Sequence, residues 1–473
     1  MSEIDGQGTA QLASGDPSAR PSHDEDDRLT PEYVAAVLAH VENGEVEAAR
    51  AMVEPLHPAD IADLFELTPS DARRPLAAAL AEVLSGDVLS EMNEWVREEL
   101  IDALAPHQVA EIATQMETDD AVAIIEELDA EDQRAVLRAL SPDDRAAIEA
   151  ALSYPEESAG RIMQRDLIAV PEHWTVGHVL DYLRGNEDLT TDFWEVFVVD
   201  PGHKPVGTCK LSWVLRSPRN ISISDIMQRE QTLIPATMDQ EEVALRFQKY
   251  GLISAAVIDV SGRLVGMITV DDIVHIIQEE AGEDILRLSG AGDGDINEPI
   301  SKTVRTRLVW LMINLGTAML AASVVGLFQG TISRLVILAA LMPIVSGMGG
   351  NAGTQTMAVA VRALATNQLT ASNTVRVILR EFRIAIANGL ALGAVIGVGA
   401  AIVFDYPMLG LVIGTAMVIN NLVAGLAGIL IPVTLDRLKI DPAVASAVFV
   451  TTMTDIMGFF SFLGLATLAN LSA

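Results

Sequence analysis

Two stretches decide how this chain reads: PIVSGMGGNAGTQT at residues 343–356 and TTMTDIMGFF at residues 451–460. Each lies inside an apolar run long enough to cross a bilayer, which takes about 20 residues per helix. The first puts Gly347, Gly349, Gly350 and Gly353 at bilayer depth beside Asn351, Thr354 and Gln355. That composition suits a broken or closely packed helix whose carbonyls are exposed only where they line an aqueous cavity. Close packing alone accounts for the glycines but not for the amides. The second stretch holds Asp455, the only acid within an expected span. An ionisable residue there costs about 2.5–3.5 kcal/mol on insertion scales, so a place on an ion pathway or relay is its default role. The plainer alternative is a carboxyl neutralised by a proton or an amide partner.

Five segments satisfy the length criterion, at about residues 304–328, 335–361, 384–404, 408–435 and 443–471. Lys302, Arg305 and Arg307 precede the first; Arg362, Arg376, Arg380 and Arg383 lie between the second and third; Arg437 and Lys439 lie between the fourth and fifth. The other connections carry only Arg334 and Asp405. Basic connections mark the cytoplasmic side, so this alternation predicts a cytoplasmic N-terminus and an external C-terminus. In the fourth span, Asn420 and Asn421 either hydrogen-bond across helices or face a pore.

The rest of the chain is of another character. The 473 residues carry 31 Lys and Arg against 65 Asp and Glu, a formal charge of -34, yet half are hydrophobic. Residues 302–473 hold ten basic and five acidic side chains, which leaves 21 and 60 for residues 1–301. An acidic aqueous part of about −39 therefore precedes a mildly basic membrane part. A surface of that sign repels phosphate, so nucleic acid is excluded as a partner. Cys209 is the single cysteine, which rules out a disulfide framework or a multi-cysteine metal site. Residues 1–29 show no basic segment followed by an apolar one, hence no cleavable signal peptide, and read as a disordered polar tail.

Residues 30–158 repeat a pattern of Leu or Ala, then Pro, then an acidic cap, then an apolar stripe, as in LHPADIADLFEL, APHQVAEIATQM and LSPDDRAAIEAAL. This predicts an α-superhelical domain of short stacked helix pairs, with an ordinary helical bundle as the alternative. From YPEESAGRIM (154–163) onward, residues 159–272 alternate β-branched runs with amphipathic helices in two units of about 60 residues. Each unit reads as strand, helix, β-hairpin and closing helix. Residues 273–301 then form an acidic connecting helix, IVHIIQEEAGEDILRL, and a glycine-rich linker.

The two units resemble a tandem pair of CBS domains. The second keeps the Gly-hydrophobic-hydrophobic-Thr-x-x-Asp signature as Gly266, Met267, Ile268, Thr269 and Asp272; the first, GTCKLSWVL at 207–215, lacks the Asp. The resemblance implies at most one nucleotide site, with Thr269 and Asp272 holding the ribose and phosphate of ATP. Purely structural or metal-sensing units are the other reading.

The whole arrangement, read with SGMGGNAGTQT and TTMTDIMG, resembles the MgtE family of magnesium channels and transporters. The resemblance covers nearly everything after the tail. It implies a multidomain membrane protein: helical N domain, CBS pair, connecting plug helix and five-helix membrane domain at 302–473. It also implies a homodimer in an inner membrane of bacterial type, with one pore between subunits and closure by intracellular Mg²⁺. By resemblance Asp455 is the pore acid, with Gly347, Thr451 and Asn351 near the hydrated ion and Thr354 at a narrow point often occupied by Asn. The sensing acids so implied are Asp119, Asp120, Asp239, Glu241, Asp272, Glu280, Glu283 and Asp284. Gly251 and His275 stand where two family acids are expected.

Physical chemistry runs in the same direction. Mg²⁺ dehydrates reluctantly, so a site for it holds a water-clad ion with few carboxylates. One acid per subunit, doubled by symmetry, meets that requirement, and the size of the hydrated ion becomes the selector. Divalent ions bridging carboxylates of adjacent domains favour a compact cytoplasmic part, and their loss lets the domains separate. The last histidine is His275, so the membrane part has no His for a protease dyad, zinc site or proton relay; enzymatic activity is not expected. Channels for Co²⁺ or Mn²⁺, and a CBS-regulated membrane signalling scaffold, are the competing readings.

Overall fold

The computed structural model describes residues 22–24, 28–102, 104–185, 193–289 and 300–471. Most of the expected tail, and the glycine-rich linker after the connecting helix, lie outside these residues. Two compact units divide the chain, residues 1–276 and 277–473.

In the first unit ten short helices come first: α1 (Pro31–Glu42), α2 (Val46–Val53), α3 (Pro58–Leu67), α4 (Ser70–Ala79), α5 (Gly86–Ser90), α6 (Glu94–Ile101), α7 (Pro106–Ala113), α8 (Thr118–Glu127), α9 (Ala130–Ala139) and α10 (Pro142–Leu152). The Pro-and-acid joints are their starts. Pro31, Pro58, Pro106 and Pro142 open helices at the position where a missing N–H costs nothing. Thr30, Asp129 and Ser141 accept hydrogen bonds from first-turn amides as N-caps. Packing runs between near neighbours in the chain, α1 on α2 and α4, α7 on α9, α8 on α10. One apolar core, with Leu64, Phe65, Leu76, Leu80, Leu89, Ile124 and Ile125 fully buried, threads all ten.

Two three-stranded sheets follow. β1 (Ala169–Pro171), α11 (Val176–Gly185), β2 (Glu195–Val199), β3 (Pro205–Lys210), α12 (Leu211–Arg216) and α13 (Ile223–Ile226) make the first. β4 (Leu233–Pro235), α14 (Gln240–Tyr250), β5 (Ser254–Ile258), β6 (Leu264–Thr269) and α15 (Val270–Ser289) make the second. In each the first strand pairs parallel with the second and the second antiparallel with the third, with an irregularity at the same point. Phe197 and Val199 share one apolar cluster with Ala256, Leu264 and Met267, so the repeats bury a common face. The 154–163 junction is clamped to the second sheet: Ala159 N–H donates to Met238 C=O (2.7 Å) and Gly160 N–H to Ala236 C=O (2.8 Å).

The second unit contains α16 (Ile300–Leu327), the short α17 (Gln329–Arg334), α18 (Ile337–Ala365), α19 (Thr374–Val403), α20 (Pro407–Arg437) and α21 (Pro442–Leu468). Five of these are long and apolar enough to cross a membrane. α18 runs unbroken through Pro343 and the glycine run, so of the two expectations for that stretch it is the close-packed helix that forms. α19 starts ten residues before the expected span, because Arg376, Arg380 and Arg383 end the apolar pattern but not the helix. As a result Glu381 lies within a long helix and is only 8% exposed.

Glycines let α19 and α20 touch backbone to backbone. A Cβ on Gly397 would lie 2.7 Å from Gly410 C=O, and one on Gly393 2.6 Å from Gly414 C=O. A backbone carbonyl in a helix cannot retreat as a flexible side chain can. Replacing Gly397 by Ala should therefore cost about 1–3 kcal/mol, whereas Gly399→Ala meets nothing within 4 Å. Thermal unfolding in detergent checks this: Gly397→Ala should melt lower than the parent, and Gly399→Ala should match it.

Candidate functional site

The glycine run of α18 divides into two faces. Gly349 and Gly353 are buried in the bundle, where added Cβ atoms would meet Asn420 and Val450, while Gly347 and Gly350 face open space. Asn351 and Thr354 follow Gly347 by four and seven residues, so helical spacing puts all three on the open side. Across from this helix, α21 carries Thr451 and Asp455. The Ser346 hydroxyl donates to Asp455 Oδ1, which fastens the carboxylate to α18 at the edge of the open face. The threonines turn inward on their own helices: Thr354 Oγ1 donates to Gly350 C=O (3.1 Å) and Thr451 Oγ1 to Ala447 C=O (2.9 Å). What this face offers outward is backbone oxygen, an amide and one half-buried acid. Of the amides in the fourth span, Asn420 Nδ2 donates to Val345 C=O on α18 (2.8 Å), whereas Asn421 Nδ2 bonds its own helix at Met417 C=O (3.0 Å).

In the first unit, four acids converge. Glu117 precedes α8, Asp119 and Asp120 sit in its first turn, and Asp272 lies in the first turn of α15. Burial first, and then repulsion from Asp272 and Asp120, pushes the Glu117 carboxyl up to about 7. Burial and Asp272 push Asp120 up to about 6, and Asp119 is raised by burial, Asp272, Asp120 and Glu117. Asp272 is raised too, chiefly by burial, although Thr269 Oγ1 donates to its Oδ2 at 2.6 Å. Asp119 Oδ1 is buried without a hydrogen-bond partner. One neutral donor, Gln164 Nε2, reaches Glu117, and Arg97, which draws Asp120 in the opposite direction, is itself paired with Glu127. Such a cluster is under-neutralised and attracts a divalent cation or protons.

The remaining expected sensing residues are spread out. Asp239 caps α14, accepting from Glu241 N–H at 3.0 Å. Gly251 ends that helix in the left-handed conformation (φ 61°), a place where Gly is favoured over any acid. His275 is exposed on α15. Further along α15, Glu280 and Glu283 belong to the second unit, where Glu283 pairs with Arg287; the side chain of Asp284 lies outside the described residues. Arg287 also reaches Asp441, the N-cap of α21, at 2.8 Å. Among the described residues no three His, Cys, Asp or Glu side chains form a ready metal cage.

Sequence reading passed over Ser346, Glu117, Gln164 and the Arg287–Asp441 pair. Glu117 was visible as the start of ETDD, and Ser346 as the neighbour of Gly347. Nothing in the sequence signals that Arg287 and Asp441, 154 residues apart, would meet.

Models of known families match three parts of the chain: the MgtE divalent cation transporter at residues 342–465, the MgtE intracellular N domain at 56–157, and a CBS domain at 223–279. Relatives named magnesium transporter MgtE are found in Bacillus subtilis, Thermus thermophilus and Enterococcus faecalis. The first is 28% identical over 92% of this chain and 97% of its own length. The second is 30% identical over 90% and 96%, and the third 35% identical over 67% and 70%. Among solved structures, the cytosolic domain of the Mg²⁺ channel MgtE in complex with ATP is 28% identical, covering 51% of this chain and 99% of its own, with a TM-score of 0.48.

The raised acids make a pH-dependent prediction. Each binds its proton more tightly in the folded chain than in the unfolded one, so the stability they support is greatest below the ordinary carboxylate range and is lost as pH rises through about 7 for Glu117. Without divalent ions, the melting temperature of the first unit within the full chain should fall between pH 5 and pH 8. Glu117→Gln should flatten that fall.

Proposed function

The chain belongs to the MgtE family of divalent cation transporters, and on that premise we propose that it conducts Mg²⁺ through a pore between two copies, centred on Asp455. One observation carries this reading: the Asp455 carboxylate, held by Ser346, borders the open face of α18 at Gly347. The chain is a multi-pass membrane protein. In the proposed homodimer the two Asp455 carboxylates face each other, and Gly347, Asn351, Thr354 and Thr451 contribute oxygens around a hydrated ion. Two carboxylates set the charge without stripping water from Mg²⁺, and the width of the lined space excludes ions whose water shell is larger. The proposed location is the inner membrane, N-terminus in the cytoplasm, and the open state moves ions rather than catalysing a reaction.

Gating follows from the acid cluster. Glu117, Asp119 and Asp120 repel Asp272 across the contact between the helical and CBS parts of one unit. Mg²⁺ bound there replaces the repulsion by attraction and holds the contact closed; Asp239, Glu241, Glu280, Glu283 and Asp284 are the further sensing acids of this proposal. Thr269 and Asp272 are also the proposed contacts for ATP at the second CBS unit. Asp272 would then answer to both ligands, and nucleotide phosphate beside four acids needs the divalent ion to offset like charge.

Two measurements test this. Asp455→Asn and Asp455→Ala should abolish Mg²⁺ flux into proteoliposomes, with Co²⁺ and Mn²⁺ as competing ions, while the purified protein keeps its oligomeric state; normal flux would remove Asp455 from the pore. Millimolar Mg²⁺ should protect the cytoplasmic part of the full chain from protease. Asp119→Asn combined with Asp272→Asn should raise the Mg²⁺ needed by about tenfold, the effect of removing about 1.4 kcal/mol of binding energy.

A further inference from the structure

Asn420 is completely buried, in a helix that contributes no group to the open face of α18. Its amide fills a slot with glycine on both sides. A Cβ on Gly349 of α18 would lie 2.7 Å from Asn420 Cγ, and a Cβ on Gly458 of α21 would lie 2.8 Å from Asn420 Nδ2. Within the slot Nδ2 donates to Val345 C=O at 2.8 Å, while Oδ1 has no hydrogen-bond partner. A buried amide left half-satisfied costs free energy. Packing alone would be served as well by an apolar side chain of the same shape, so the donated bond requires another explanation.

Its position supplies one. Val345 immediately precedes Ser346, which holds Asp455, and Gly458 lies three residues after Asp455 on the same helix. α18 and α21 are therefore joined twice at one level: directly through Ser346 and Asp455, and indirectly through the Asn420 wedge. We infer that Asn420 is a positioning residue for ion selection, setting the separation of α18 and α21 so that Ser346 presents the Asp455 carboxylate at a fixed distance from the pore axis. It touches neither the ion nor the carboxylate. A Gln is too long for the slot, and a side chain without a donor releases Val345 and the turn that carries Ser346. The inference rests on the proposed pore at Asp455.

A passive packing residue changes stability and the amount of folded protein; a positioning residue also changes which ion passes. The test is competition between Ca²⁺ and Mg²⁺ for entry into proteoliposomes by the full-length chain, normalised to folded protein, for Asn420→Ala, Ser346→Ala and the double variant. Asn420→Ala is expected to shift the Ca²⁺ to Mg²⁺ ratio about three- to tenfold, the scale of one hydrogen bond. Ser346→Ala should shift it in the same direction, and the double variant should shift it no further than the larger single one, because both act on one contact. A parental ratio for Asn420→Ala, or multiplying effects in the double variant, overturns the inference. If Asn420→Ala does not fold, Asn420→Ser, which keeps a donor of smaller size, is read by the same criteria. Asp455→Asn run in parallel separates the two ideas. Parental flux there defeats the pore itself, whereas a silent Asp455→Asn with a parental ratio for Asn420→Ala defeats only the role of Asn420.

Discussion

A carboxylate at bilayer depth is the constraint on which the membrane unit depends. Left alone in hydrocarbon, a carboxyl such as that of Asp455 costs about 2.5–3.5 kcal/mol on insertion scales. It is tolerated because α18 comes close enough for Ser346 to donate to it, and because one side of α18 is open. Close approach in turn requires residues without side chains where the helices cross. Gly349 and Gly353 on α18, Gly428 on α20 and Gly458 on α21 each leave room that another atom occupies. The glycines and the acid are therefore one arrangement: small residues on one face of α18 let the neighbouring helices come close enough for Ser346 to reach Asp455.

The first unit meets the opposite problem. There the acids are many, water is plentiful, and only a few carboxylates are hard to ionise. Four of them, Glu117, Asp119, Asp120 and Asp272, gather where the helical part meets the second CBS unit, with one neutral donor on Glu117 and Arg97 only partly offsetting the repulsion at Asp120. Other part-buried acids have an arginine of their own: Arg97 pairs with Glu127, and Arg73 with Glu99 at 2.9 Å. The contrast between satisfied pairs and an unsatisfied cluster in the same fold singles out Glu117, Asp119, Asp120 and Asp272, more than net charge does. A net charge of -34 describes solubility and attraction in general; the cluster describes a place.

Much of the fold was legible because its signals are local. Prolines and caps mark the ends of the short helices, strand alternation marks both sheets, and hydrophobic length marks the five spans. The start of α19 was missed because arginines that end an apolar pattern are good helix formers, and a helix stops for lack of caps and packing rather than of hydrophobicity. At the candidate site, residue types were legible and pairings were not. Asp455 stands out as a lone acid, but its partner Ser346 is 109 residues away. Asn420 and Asn421 are adjacent and chemically identical, and only the packing around each distinguishes a bond to another helix from a bond to its own. The sorting of the four glycines into two faces likewise depends on neighbours that α20 and α21 bring.

These two regions share one helix. α15 carries Asp272 in its first turn and Arg287 in its last. At the far end Arg287 binds Asp441, whose other oxygen caps α21 by accepting from Ala443 N–H at 2.7 Å. α21 then carries Thr451 and Asp455. The Arg287–Asp441 pair is half-exposed and shared with Glu283. It is therefore cheap to break and remake, unlike the buried Arg97–Glu127 pair, which fixes the helical part in one form.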